Sequence, residues 1–328
     1  MTPSWDELSA DAHVVAVPLR VPFRGTTVRE ALLLRGPAGW GEFAPFPEYD
    51  DEEAARWLAA AVEAAWTGWP AAVRDRVPVN ATVPAVAADE VPGVLARFPG
   101  CTTAKVKVAQ TGQALSDDVA RVGAVRSALG RSGRVRVDAN GAWSVDEART
   151  ALAALAPYDL EYAEQPCADV AGLAALRLAL ARAGVDVPVA ADESVRKAED
   201  PLRVALAGAA DVVVLKVAPL RGVASALDVA EACGLPVVVS SALDTSVGIA
   251  AGLALAAALP ELPYACGLAT AGLLAGDVVA DPLTAVGGHL PVGAVAADPE
   301  MLERWTAPPD RTRWWLARAR RCLALPAG

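Results

Sequence analysis

Six residues of this 328-residue chain have the types and spacing needed to move a proton beside a bound cation. They are Lys105 and Lys107 in AKVKVA, Asp138 in VRVDAN, Glu164 in YAEQP, Asp192 in AADES and Lys216 in VVLKVAP. Each closes a short apolar run of strand character. Asp138, Glu164 and Asp192 are hard oxygen donors with no His or Cys among them, the donor set of a divalent cation that keeps positions open for water or substrate. Magnesium is the expected occupant, with manganese as a substitute. A lysine held beside a metal and other cations has its pKa drawn from about 10.4 toward neutrality, where it can serve as a base.

Strand side chains alternate, so Lys105 and Lys107 face one way, as do Arg136, Asp138 and Asn140. One pocket could hold them all. Arg136 and Lys105, with the backbone and hydroxyls of Ser240 and Ser241, are expected to make a donor-rich pocket for an anionic substrate. Taken singly, each residue has an ordinary explanation. A lysine ending a strand is usually a solvated rim residue, Asp192-Glu193-Ser194 reads equally as a helix cap, and Asp138-Ala-Asn-Gly as a turn. Only the joint pattern carries the chemistry.

The elements that must position these residues follow from the apolar periodicity. Strand candidates fall at Val79–Pro84, Thr103–Val108, Val135–Asp138, Leu160–Glu164, Val187–Ala191, Val212–Val217, Val237–Ser240 and Tyr264–Gly267. Between them lie helix candidates, among them Ser116–Leu129, Pro201–Ala207, Gly222–Cys233 and Ser246–Leu259. Roughly eight strand–helix alternations predict a closed (β/α) barrel, whose active site forms at the C-terminal ends of the strands. An open doubly wound sheet is the rival, but no GxGxxG follows its first strand. Ahead of the barrel, strand-like runs at His13–Leu19 and Glu30–Arg35 and a helical stretch at Asp51–Thr67 suggest an α+β layer. The expected division is a cap over residues 1–76, a barrel over 77–286, and a tail over 287–328 that packs back on the cap through Trp305, Trp314 and Trp315.

Composition narrows the partners. With 54% hydrophobic and 21% charged residues the chain can bury a large core, and its net charge of -10 opposes nucleic-acid and anionic-membrane partners. A small carboxylate is the expected substrate. An acidic start, MTPSWDELSADAH, and no apolar run of about 18 residues predict a cytoplasmic protein without a membrane span. The five cysteines form no CxxC pair and predict neither zinc nor disulfides. His13 and His289 lie far from the constellation and are read as structural, which disfavours a Ser–His–Asp hydrolase. Arg20 and Arg24 near VPFRG are read equally as loop residues facing substrate or as surface. Oligomeric state stays open, with a monomer compatible.

The same residues resemble those of the enolase superfamily, and within it the muconate-lactonizing-enzyme subgroup. That pattern is KxK on the second strand, acidic ligands ending the third to fifth, and Lys on the sixth. It is matched in order by Lys105-Val-Lys107, Asp138, Glu164, Asp192 and Lys216, while GWGEFAP resembles the capping domain. The resemblance implies a modified TIM barrel with a cap built from the N-terminal segment and C-terminal tail. It also implies a magnesium-dependent site in which a lysine base works beside a metal that stabilises the ene-diolate. VSSALDTSVGIAAG and CGLATAGLLAGDV resemble segments of dehydrating members, which implies a syn dehydration to an aromatic product. Lys107 would take the α-proton and return it to the leaving hydroxyl. Lys216 would be a cation–π partner on the opposite face, Lys105 would lie beside the substrate carboxylate, and Asn140 and Glu193 would orient the ligands.

Three other readings are weighed against the pattern. An N-acylamino acid racemase would use Lys107 and Lys216 as paired acid–base groups. A dipeptide epimerase of the subgroup is expected to carry Asp-x-Asp on the eighth strand, where this chain reads Cys266-Gly267-Leu268-Ala269-Thr270. An inactive barrel kept as a binding module is opposed by the cost of burying so many ionisable groups without a compensating ligand.

Overall fold

The computed structural model describes residues 3–23, 25–196, 204–205 and 207–325. Arg24 and most of the helix candidate Pro201–Ala207 lie outside the described residues.

The chain opens with a three-stranded antiparallel sheet, β1 (Ala12–Phe23), β2 (Thr26–Gly36) and β3 (Gly39–Phe43). Its alternation is apolar on both faces, and each face is buried. Val14, Leu32, Leu34 and Phe43 pack on the helix Asp51–Val62 and on Trp315, while Val15, Val17, Ala31 and Leu33 pack on Val247, Leu274 and Val278. The first cluster builds the cap; the second joins it to the barrel. Gly41 of GWGEF is required by this packing, because a Cβ there would stand 2.0 Å from the carbonyl oxygen of Ala61.

After β4 (Arg76–Pro78) the chain enters a seven-stranded parallel sheet. Its strands are β5 (Ala81–Val83), β6 (Thr103–Lys107), β7 (Arg134–Asp138), β8 (Leu160–Glu164), β9 (Val189–Ala191), β10 (Val212–Leu215) and β11 (Val237–Val239), neighbours in chain order. The sequence expectation of an eighth strand at Tyr264–Gly267 reduces to two residues. Cys266 bridges Val79 and Gly267 bridges Ser240, with Cys266 N donating to Pro78 O (2.7 Å) and Gly267 N to Val239 O (2.8 Å). Those bonds close the barrel. Tyr162, Ala190, Val212, Val214 and Val238 form a cluster of inward-facing residues, and the larger cluster lies between strands and outer helices.

A tail strand, β12 (His289–Pro291), pairs antiparallel with β4, and the helix Pro309–Ala324 docks on the cap. Trp315 is fully buried there, edge-on to Phe43, and its Nε1 donates to Glu30 Oε2 at 2.9 Å. Truncating so large a buried ring costs about 3–5 kcal/mol. Trp315→Ala should therefore lower the urea midpoint strongly, and an unchanged midpoint would contradict this docking.

Candidate active site

Register brings the sequence constellation together. Lys107 stands opposite Asp138 and Asp138 opposite Glu164, so the C-terminal ends of β6, β7 and β8 lie side by side. Asp192 follows β9 and Lys216 follows β10 directly. Asp138, Glu164 and Asp192 are each 1% exposed, Lys105 is buried, and the side chains of Lys107 and Lys216 are each 12% exposed toward the cavity.

Ammonium and carboxylate alternate around this mouth. Lys105 Nζ lies 2.7 Å from Glu164 Oε1 and 3.3 Å from Asp138 Oδ2, and Lys107 Nζ pairs with Asp138 and donates to Asn140 Oδ1 at 2.7 Å. Lys216 Nζ lies 2.5 Å from Asp192 Oδ2, and Asn140 Nδ2 donates to Glu193 Oε1 at 3.3 Å. Lys105, Lys107, Asp138, Asn140, Lys216, Ser240 and Ser241 share the wall of one cavity. Phe23, Phe46, Tyr49 and Trp57 of the cap complete it. Ser241 Oγ is engaged with Gly267 O and Thr270 Oγ1, whereas Ser240 Oγ has only acceptors at 3.5 Å.

Burial sets the proton affinities. It depresses Lys107, and repulsion from Lys105 adds to this, so the ammonium sits below its ordinary value despite Asp138. Lys105 feels the same burial, but Glu164 and Asp138 outweigh it and hold the amine above its ordinary value. Glu164 is pushed up to about 7 by burial and then by Asp138, while the surrounding lysines hold Asp138 well below the carboxylate range against its own burial.

Arg136 is a correction. It is fully buried deep in the barrel, bonded to Glu161 (2.5 Å), Asn80 Oδ1 (3.1 Å) and Ala265 O (2.7 Å), with its guanidinium 4.7 Å from the Tyr162 ring centroid. It does not line the cavity. Two residues before Asp138 on the same strand, it shares that residue's face but sits one layer lower. Arg20 is exposed at the rim of a separate cavity.

Sequence reasoning passed over Gln165, Phe23 and Glu42. Gln165, fully buried at φ 39°, accepts from Asp192 N (2.9 Å) and Ser194 N (3.1 Å) and so ties the end of β8 to that of β9. Its only signal was the EQP triplet. Phe23 lies with its ring centroid 5.2 Å from Lys107 Nζ. Glu42, from the cap, accepts from Thr245 Oγ1 (2.5 Å) and Gly248 N (3.1 Å) at the N-terminus of the barrel helix Ser246–Ala258.

Three carboxylates at one mouth raise the question of a cation. Among the described residues no group of three His, Cys, Asp or Glu stands ready-arranged for a metal. Lysine ammoniums engage these carboxylates instead. The donor set nevertheless fits a hard divalent ion: it is all oxygen, Glu164 Oε2 is buried with no hydrogen-bond partner, and Asp138 and Asp192 both push the Glu164 pKa upward. Asp138, Glu164 and Asp192 are the residues that would hold such an ion.

Comparison with known proteins agrees with the geometry. Residues 14–65 match the family described as enolase N-terminal domain-like, and 90–296 the one described as enolase C-terminal domain-like. The chain is 60% identical to an o-succinylbenzoate synthase of Mycolicibacterium smegmatis over 98% of each chain. It is 61% identical to an o-succinylbenzoate synthase of Thermobifida fusca over 93% of this chain and 94% of that one. Among solved structures it resembles a muconate lactonizing enzyme of Pseudomonas fluorescens (23% identity, TM-score 0.78, 90% and 98% of the two chains). It also resembles the L-Ala-D/L-Glu epimerase of Bacillus subtilis (25% identity, TM-score 0.73, 88% and 96%).

Glu42 makes the cap–barrel seam sensitive to pH. Burial, and then repulsion from Asp244, push its carboxyl from 4.5 up to about 8. The folded chain thus keeps a proton that the unfolded chain releases near 4.5, so this contribution to stability is full below 4.5 and is lost as pH rises toward 8. One such proton is worth up to about 1.4 kcal/mol per pH unit. Urea midpoints between pH 5 and 8.5 should fall less steeply for Glu42→Gln than for wild type; parallel profiles would contradict the assignment.

Proposed function

The chain belongs to the o-succinylbenzoate synthases of the enolase superfamily, and from that premise we propose how its residues perform the reaction. It is a carbon–oxygen lyase that dehydrates 2-succinyl-6-hydroxy-2,4-cyclohexadiene-1-carboxylate to o-succinylbenzoate, a step of menaquinone synthesis. The observation that carries the residue assignment is the placing of Lys107 and Lys216, on β6 and just after β10, in the wall of one cavity beside three carboxylates.

Lys107 is the base. Burial and the charge of Lys105 ease its loss of a proton, so its neutral amine can take the hydrogen from the carbon bearing the substrate carboxylate. The bonding pair left behind forms the ring double bond as the carbon–oxygen bond to the hydroxyl breaks. Lys107 then returns its proton to the departing oxygen, water leaves, and the ring becomes aromatic. A base and acid that are one group require both events on one face, hence a syn course. Lys216, which we assign to the opposite face of the substrate, steadies the negative charge that builds in between. A divalent cation on Asp138, Glu164 and Asp192, magnesium in this reading and manganese as a substitute, supplies positive charge for the substrate carboxylate. Family membership implies the divalent ion.

Lys105 binds the substrate carboxylate side, Ser240 donates to the succinyl arm, and Asn140 and Glu193 orient Lys107 and the ligand set. The absence of a helix long and apolar enough to cross a membrane, among the described residues, suits a small-molecule enzyme, and we place it in the cytoplasm. We read the cap as residues 1–76, the barrel as 77–286 and the tail as 287–328, supported by the pairing of β12 with β4 at the seam.

A two-base racemase is the second reading, favoured by the same pair of lysines. Lys216→Arg separates the two, because arginine keeps the charge but is no base near neutrality. Under the dehydration reading Lys107→Ala loses turnover altogether, and Lys216→Arg retains a trace. Proton exchange in deuterated water, with each enantiomer of an N-succinylamino acid, supplies the contrary result. Efficient racemisation by wild type without dehydration, and one-enantiomer exchange by Lys216→Arg, would replace the synthase reading with the racemase.

A further inference from the structure

The substrate cavity has two walls from different parts of the chain, and one buried side chain touches both. Arg29, on cap strand β2, is 2% exposed. Its Nε donates to Leu243 O at 3.0 Å, 214 residues away, and its Nη2 to Ala44 O. The guanidinium also lies 3.7 Å from Asp244 Oδ1 and 4.7 Å from the centroid of Phe46. Leu243 and Phe46 both line the cavity that holds Lys107 and Lys216.

The loop that Arg29 grips is tied to the barrel at its start, where Ser240 N donates to Leu215 O (2.9 Å) and Ser241 N to Gly267 O (3.0 Å), and Arg29 holds its other end. Ser240, Ser241, Ala242 and Leu243 all line the cavity, and Leu243 stands at φ 67°, a left-handed conformation that strains the backbone of a non-glycine residue. Asp244 folds back to accept from Ala242 N at 2.9 Å, and the next residue, Thr245, caps the helix that follows. Asp244 is a buried carboxylate whose charge a cation behind it offsets, and the Leu243 carbonyl is a buried acceptor that the same cation can satisfy. Arg29 does both with one planar fork, and its remaining contacts, Ala44 and Phe46, fix the aromatic side of the same cavity.

We propose that Arg29 is a positioning residue for substrate binding, setting the loop from Ser240 to Asp244 and the Phe46 wall in one register. It rests on the dehydration reading above. It touches neither the lysines nor the carboxylates of the mouth, so its loss should disturb where the substrate sits more than how the proton moves.

The test uses the full chain with magnesium and the cyclohexadiene substrate. Arg29→Ala should raise KM roughly tenfold or more while kcat falls less than about threefold, the pattern of lost positioning. Arg29→Lys, which keeps the charge but not the fork, should lie between. Added guanidinium should lower the KM of Arg29→Ala and leave wild type unchanged, an effect a purely structural role would not produce. A wild-type KM in both variants, or a collapse of kcat at unchanged KM, overturns the proposal. Should Arg29→Ala not fold, Arg29→Lys decides alone by the same two readings. A wild type without magnesium-dependent dehydration would remove the functional reading itself, whereas an active wild type with unresponsive Arg29 variants removes only this assignment.

Discussion

Buried charge at the barrel mouth is the constraint on which the rest of the structure depends. Three carboxylates and three ammoniums crowd a site from which water is largely excluded. At an effective dielectric of about 20 each close opposite pair attracts by about 4 kcal/mol, and each close like pair repels comparably. The arrangement persists because strands in fixed register place the opposite charges beside one another, Lys107 against Asp138 and Lys105 against Glu164. The Tyr162–Val238 layer beneath them and the ring closure through Cys266 and Gly267 keep that register from slipping.

The same crowding prepares the chemistry. Burial and then Lys105 draw the Lys107 pKa down, while Asp138 and, more weakly, Glu164 pull against them. In the proposed account, a cation that draws Asp138 away removes that opposition and eases further the loss of the proton by which Lys107 becomes the base. Lys105 makes close ion pairs with two carboxylates, Glu164 and Asp138, where Lys107 makes one, and its pKa is raised rather than lowered, which suits a fixed charge and not a proton carrier. Two lysines two residues apart acquire different duties from their neighbours alone.

Much of this was legible in the sequence because strand periodicity is exact. Lys105, Lys107, Asp138, Glu164, Asp192 and Lys216 each end an apolar run, and the period of two assigns them a common face. Periodicity does not report depth, which is why Arg136 was expected at the pocket and lies in the packed interior instead. The eighth strand was overread because apolar content at Tyr264–Gly267 exceeds its pairing, which two bridges accomplish. Arg29 carried no local signal, and Glu42 only its place in the GWGEFAP segment, which does not report its partner. Their roles arise where a cap strand meets a barrel loop more than 200 residues later, as the 203- and 214-residue separations of their hydrogen bonds show.

The central claim is that this mouth, completed by a divalent ion, dehydrates its substrate. It is tested most directly by titrating chelator-stripped wild-type protein with magnesium while following both heat of binding and formation of o-succinylbenzoate. The account predicts one ion bound per chain and turnover rising in step with occupancy. Full turnover in the stripped protein, or saturating magnesium without product, would contradict it.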